Sequence, residues 1–295
     1  MIKTLAGLHR PVHCLSAALL FAFFQLSLDA KEPKLNIEEL VAKHLDSIGT
    51  PEARAAVKTR TTSGTAQVNF IMPKPGRLPG VGGILSDGKM MQIALQFGQD
   101  AGERFVFDGN RVDVGRLQLR VHTSLADFIY HYNVMLKEGL MGGTLTTAWP
   151  FLDLAGRQPK LDYSGLKKVD GKQLHEVKYR PKKDAGDVQI ALYFDPETFR
   201  HVYSEYRLVV RAMSRQGKDE NGKPLADFSA QDDSFYKIQE WFDEFGTVDS
   251  LNLPHTYKIA FSRRGPSQAI IFEYQLGLSQ ILHNQAIDQK AFLIP

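Results

Sequence analysis

Apolar and polar residues alternate with a period of two along most of this chain. Val188, Ile190, Leu192 and Phe194 fall on one side of a run that ends at Asp195-Pro196. Beyond it, Val202, Tyr206, Leu208 and Val210 resume the rhythm, with Glu205, Arg207 and Arg211 on the other side. Successive side chains of a strand point to opposite faces, so the pattern predicts an antiparallel sheet with one apolar and one solvated face. On this reading Leu192 and Phe194 point inward, and Ala191 and Tyr193 outward. The pattern recurs in Ala66, Val68 and Phe70, in Met91, Ile93, Leu95 and Phe97, and in Phe105 and Phe107. It returns in His175, Val177 and Tyr179, in Tyr236, Ile238 and Phe242, in Tyr257, Ile259 and Phe261, and in Ile270, Phe272, Tyr274 and Leu276.

Two segments change to the helical period. Asn36 with Glu39 forms a capping signal before Ile37, Leu40, Val41, His44, Leu45 and Ile48, and Gly49 can end that helix. Pro51 opens a further short turn after Thr50. Ser124 with Asp127 predicts a second helix, with Leu125, Phe128, Ile129, Tyr132 and Leu136 as its apolar stripe and Gly139, Gly142 and Gly143 to break it. Asp108-Gly109-Asn110 and Asp170-Gly171 predict hairpin turns. Pro73–Gly83 and Met213–Asp233 are expected to be loops, the first from its Pro and Gly content and the second from its charge.

The first thirty residues have the pattern of an export signal, with Lys3 and Arg10 ahead of an apolar run from Leu15 to Leu28 and Ala30 as the cleavage position. The expectation is therefore a signal peptide over 1–30, a single domain over 31–295 and a periplasmic location. The apolar run falls short of the roughly twenty residues a membrane span needs, so no stable span is expected after processing. Cys14 precedes the run, and cleavage leaves no cysteine, so stability must come from the apolar core. Of 36 basic and 33 acidic residues, cleavage removes Lys3, Arg10 and Asp29, leaving a balance of 34 to 32. That balance speaks against nucleic acid as a partner.

Reactive constellations are not evident. Gly83-Ile84-Leu85-Ser86-Asp87-Gly88-Lys89-Met90 has phosphate-loop spacing, but Met90 replaces the hydroxyl residue and a strand pattern follows where a helix is required. It reads as a hairpin. His44, His122, His131, His175, His201, His255 and His283 lack metal-ligand spacing, and no Gly-x-Ser-x-Gly turn occurs. No catalytic residue, metal site or cofactor is expected, and an enzyme is not the leading reading. The small, Thr-rich stretch Glu138–Pro150 fits either close backbone approach to a ligand or tight packing.

Two turns carry a family likeness. Phe194-Asp195-Pro196-Glu197-Thr198-Phe199 resembles the strand, Asp-Pro-x-Thr, strand turn of the periplasmic lipoprotein carriers and outer-membrane lipoprotein-sorting proteins, the LolA-like superfamily. Phe242 to His255 is similar to that superfamily's Val-Asp-Gly-x-x-x-Pro hairpin, with Ser250 in place of the usual Gly. The order of elements from Leu35 to Phe292 is similar too. The resemblance implies a mainly β (α+β) fold, a strongly curved antiparallel sheet forming an unclosed barrel with helices over its concave apolar face. It further implies a lipid or lipidated protein as ligand and no cofactor. The expected cavity wall comprises Phe105, Phe107, Ile190, Leu192, Phe194, Tyr206, Leu208, Ile259, Phe261, Ile270 and Phe272. The alternative is a sensor or envelope-assembly module that uses its two extra loops to bind an envelope protein.

Overall fold

The computed structural model describes residues 35–99, 101–115, 122–183, 186–211, 233–266 and 268–293. The expected signal peptide and all but Asp233 of the segment from Met213 lie outside them, Asp233 being described.

Helix α1 (Ile37–Ile48) begins where Asn36 Oδ1 accepts the Glu39 N–H at 2.8 Å, as the capping signal predicts. It buries Leu40, His44 and Ile48. Helix α2 (Pro51–Ala56) is capped by Thr50. Five strands follow: β1 (Thr59–Met72), β2 (Gly76–Asp87), β3 (Met90–Phe97), β4 (Ala101–Phe107) and β5 (Val112–Gly115). The chain then crosses the sheet as α3 (Ser124–His131), α4 (Val134–Lys137), 3-10 turns at Gly143–Leu145 and Pro150–Asp153, and α5 (Leu154–Arg157). Strands β6 (Lys160–Val169), β7 (Lys172–Arg180), β8 (Gln189–Phe194), β9 (His201–Val210), β10 (Ser234–Val248), β11 (Leu251–Arg264) and β12 (Ile270–His283) complete it.

These strands form one antiparallel sheet in the order β5-β4-β3-β2-β1-β12-β11-β10-β9-β8-β7-β6. β5 and β6 are unjoined edges, so the barrel does not close. Buried residues from β1–β5 and β7–β12 nevertheless share a single core, to which β6 adds the partly buried Leu161 and Tyr163. A flat sheet of this width could not bring both wings to one core, so the sheet curls around it. The crossing segment fills the concave side: α3 packs on β4 and β5, and α4 on β4. Glu138 then accepts from Tyr179 Oη of β7 at 2.6 Å.

Several expectations are corrected. Pro73–Gly83 is mostly strand, not loop, since β2 pairs with β1 from Gly76 to Asp87. Its Pro79 lies just beyond the first β2–β3 pair, Gly80 with Phe97, where no second ladder asks for a donor. Its glycines serve close approach: a Cβ on Gly83 would lie 2.1 Å from the Thr62 carbonyl oxygen. The cap of α3 is Thr123, whose hydroxyl accepts from Ala126 N, and not Ser124. That helix also ends at Tyr132, so its stripe is split between α3 and α4.

Val202 is a bulge residue, since Tyr193 pairs with Tyr203 and Phe194 with His201. The extra residue shifts Val202 out of the inner face and against an outer cluster of Leu174, Tyr193 and Tyr203. Leu192 and Phe194 do point into the main core while Tyr193 joins that outer cluster, as alternation requires. The outer face is therefore partly apolar there rather than fully solvated.

Candidate functional site

One end of the concave face is sealed by aromatic rings. Phe199 takes a positive φ of 56° in the Asp-Pro turn, where Asp195 Oδ1 accepts from Glu197 N and from the amide and hydroxyl of Thr198. The turn presents the Phe199 carbonyl to His44 Nδ1 at 3.0 Å and to Ser47 Oγ at 3.3 Å, which fixes α1 on the sheet. Trp149 Nε1 can only donate, and it meets His44 Nε2 at 3.0 Å. His44 is thus neutral, with its proton on Nδ1. Trp149 stacks on Phe151 and on His201, and Phe194 and Phe242 lie against His201. Burial holds His44 down at about 4, helped by the charge of Arg54, and holds His201 well below the usual histidine range. The two rings stay neutral, as their apolar surroundings demand.

Beside this seal lies a buried carboxylate. Glu240 is fully buried on the inner face of β10. Oε1 accepts the Gly142 N–H at 2.9 Å and the Tyr257 hydroxyl, and Oε2 accepts the Tyr206 hydroxyl at 2.7 Å. Burial raises its pKa, and the Tyr257, Gly142 and Tyr206 donors oppose the rise. Gly142 and Gly143 both have positive φ, and a Cβ on Gly143 would lie 2.8 Å from His201 Nδ1. The small residues of Glu138–Pro150 therefore serve tight seating of the cover, and Glu240 fastens it. The carboxylate's oxygens are occupied by donors from the fold, an anchoring arrangement rather than a catalytic one.

The opposite end is different. Phe128 of α3 stacks on Tyr236 at 5.3 Å and meets Phe261 at 6.2 Å. Phe261 touches Phe272, and Phe272 faces its cross-strand partner Phe70 at 6.3 Å. Phe70 and Leu78, which pairs with the core residue Val68, continue the inner face beyond the cover. They are 40% and 43% exposed. With the partly buried Ile270 and Tyr236 they make an apolar rim leading into the core.

The expected wall residues divide between these regions. Ile270 and Phe272 stand at the rim, with Phe261 and Leu208 next to it through Phe128 and Tyr236. Phe105, Phe107, Ile190, Leu192 and Ile259 belong to the common core, and Phe194 belongs to the seal. Tyr206 holds Glu240. Sequence reading missed Phe70 and Leu78 as site residues, and it missed Glu240, although alternation through Tyr236, Ile238 and Phe242 places Glu240 on the inner face. Among the described residues no group of three His, Cys, Asp or Glu could hold a metal, and no helix is long and apolar enough to cross a membrane.

The sequence matches no protein-family model and no curated protein. Solved structures similar to it include a DUF1329 family protein from Desulfovibrio piger, at 9% identity over 87% of this chain and 97% of that one, with a TM-score of 0.43. A putative outer membrane lipoprotein-sorting protein domain from Vibrio parahaemolyticus is 12% identical over 87% and 97% of the two chains, with a TM-score of 0.39. A LolA superfamily protein from Nitrosomonas europaea is 12% identical over 88% and 99%, also at 0.39.

Proposed function

We propose that this chain is an exported binding protein that takes up an acyl chain of a lipid or lipidated protein between the curved sheet and its cover. One observation carries the reading: among the described residues the inner apolar face runs past the cover at one end, leaving Phe70 and Leu78 exposed in line with Phe272 and Ile270. An exposed apolar strip continuous with a core is what an entry for hydrocarbon requires. Ten of the eleven wall residues are buried, Ile270 being the exception, so entry displaces part of the cover near α3. Burying a chain of about sixteen carbons gains on the order of 12 kcal/mol, and association costs of about 4–15 kcal/mol offset much of it. The balance is reversible holding, suited to a carrier in the periplasm.

The assembly-module alternative rested on two loops. One of them, Pro73–Gly83, is largely a paired strand, which removes that half of its motivation. Native mass spectrometry of the processed chain purified without detergent tests the carrier reading. Co-purifying acylated species support it; their absence together with no uptake of added fatty acid rejects it.

A further inference from the structure

A second pocket sits at the sealed end, beyond the proposed acyl site. It encloses about 150 Å³ between α2, the start of β1 and the cover, and its lining includes Lys58, Arg60, Thr144, Trp149, Leu152 and Leu251. Arg60 and Phe70 lie ten residues apart on β1, about 33 Å of strand, so pocket and rim are at opposite ends.

The polar groups of this pocket are unbalanced in one direction. Arg60 is only 4% exposed, yet its partners are neutral acceptors: Nε donates to His283 Nε2 at 3.0 Å and Nη1 to the Thr144 carbonyl. Its Nη2 has no hydrogen-bond partner among the described residues. His283 in turn contacts Asp249 through Nδ1 at 2.9 Å, so that carboxylate serves the histidine and not the guanidinium. Lys58 adds a second charge at the wall, whereas Arg54 is held by the Leu45 and Gly49 carbonyls and paired with Asp46 at 4.0 Å. The Thr144 hydroxyl is buried without a partner among the described residues. No acidic residue lines the pocket. A buried guanidinium with an open donor edge, the Lys58 ammonium and an idle hydroxyl are a recipe for an anion. Apart from Thr147, whose hydroxyl donates to the Gly88 carbonyl, the remaining wall is apolar, with Ile48, Val57, Trp149, Leu152 and Leu251 among it, which suits a hydrocarbon body and not a bare inorganic ion. The volume matches a ring or a short chain.

We propose that this pocket binds a small organic carboxylate, its anionic group held by Arg60, Lys58 and the Thr144 hydroxyl and its apolar body lying against Trp149 and Leu152. Trp149 and Trp241 are the chain's two tryptophans. Trp241 is on the outer face under Lys258, so Trp241→Phe leaves Trp149 as the single reporter. The experiment titrates the Trp241→Phe chain with hexanoate at pH 7 and low salt, reading Trp149 fluorescence. A saturable change is expected, absent with hexanamide and at least tenfold weaker with inorganic phosphate. Lys58→Gln, an exposed site where folding is undisturbed, should weaken it at least threefold, and Leu78→Asp at the rim should leave it unchanged. No saturable change, an equal response to hexanamide or phosphate, or indifference to Lys58→Gln overturns the proposal. Loss with Leu78→Asp would place the hexanoate in the acyl site instead and overturns it too.

Discussion

His44 and His201 give the fold a pH dependence of definite sign. The His44 value drops from 6.5 to about 4 on folding, chiefly through burial. Between those two values the unfolded chain binds a proton that the folded chain refuses, so stability falls as pH falls through that window. At about 1.4 kcal/mol per pH unit, His44 alone accounts for about 3 kcal/mol between pH 6.5 and 4. His201 adds in the same direction, whereas the raised Glu240 acts oppositely above its unfolded value of 4.5. Denaturant melts at pH 7 and pH 4.5 should therefore show a smaller drop for His44→Gln than for the unaltered chain, even though the variant starts less stable. Equal drops would show that the ring is not held neutral. A second residue-scale contrast concerns β8. Leu192→Asp places a charge in the main core and should cost several kcal/mol or prevent folding. Ala191→Asp faces the outer side between its cross-strand partners Lys178 and Glu205, where attraction to one offsets repulsion from the other, and should cost far less than Leu192→Asp. Equal melting temperatures would mean the inner face is misassigned.

At the scale of elements, turns and strands differ in how openly the chain declares them. In the β10–β11 hairpin, Asp249 and Ser250 both take positive φ, 47° and 65°. Serine is strained at that φ and glycine is not, so Ser250→Gly should raise stability by up to about 1 kcal/mol in thermal melts. Gly83→Ala should do the reverse, because its Cβ would meet the Thr62 carbonyl oxygen inside the β1–β2 ladder. An unchanged melt for either would remove the strain argument at that position. Period-two alternation was enough to place most strands, since it reports directly which side chains share a face, and Gly109 and Gly171, both at positive φ, marked the Asp108 and Asp170 turns. It misled where backbone geometry overrode composition. Pro79 and the glycines of β2 read as loop because glycine and proline punctuate most chains, yet here they let strands approach closely at the end of a ladder. The bulge at Val202 was invisible because one extra residue reverses the face without altering the local pattern. Glu240 was legible as an inner-face position, but its role depends on Gly142, Tyr206 and Tyr257, 98, 34 and 17 residues away. Phe70 appeared in the pattern as a core residue; its 40% exposure depends on which distant segments cover that end of the sheet, which no local signal encodes.

At the scale of the whole molecule, the sheet has, among the described residues, one stoppered end and one open end. The stopper is the His44, Trp149, Phe151 and His201 cluster, reinforced by the Glu240 anchor on the cover. The open end is the strip from Phe128 through Phe272 to Phe70 and Leu78. If acyl chains enter there, a charge at an exposed rim position blocks entry without harming the core. The decisive measurement is equilibrium uptake of a fluorescent sixteen-carbon fatty acid by the processed chain and by Leu78→Asp, with thermal melts of both. The account predicts saturable uptake by the unaltered chain, at least tenfold weaker uptake by Leu78→Asp, and melting temperatures within a degree or two of each other. Uptake that Leu78→Asp leaves untouched, or no uptake by the unaltered chain, would contradict it.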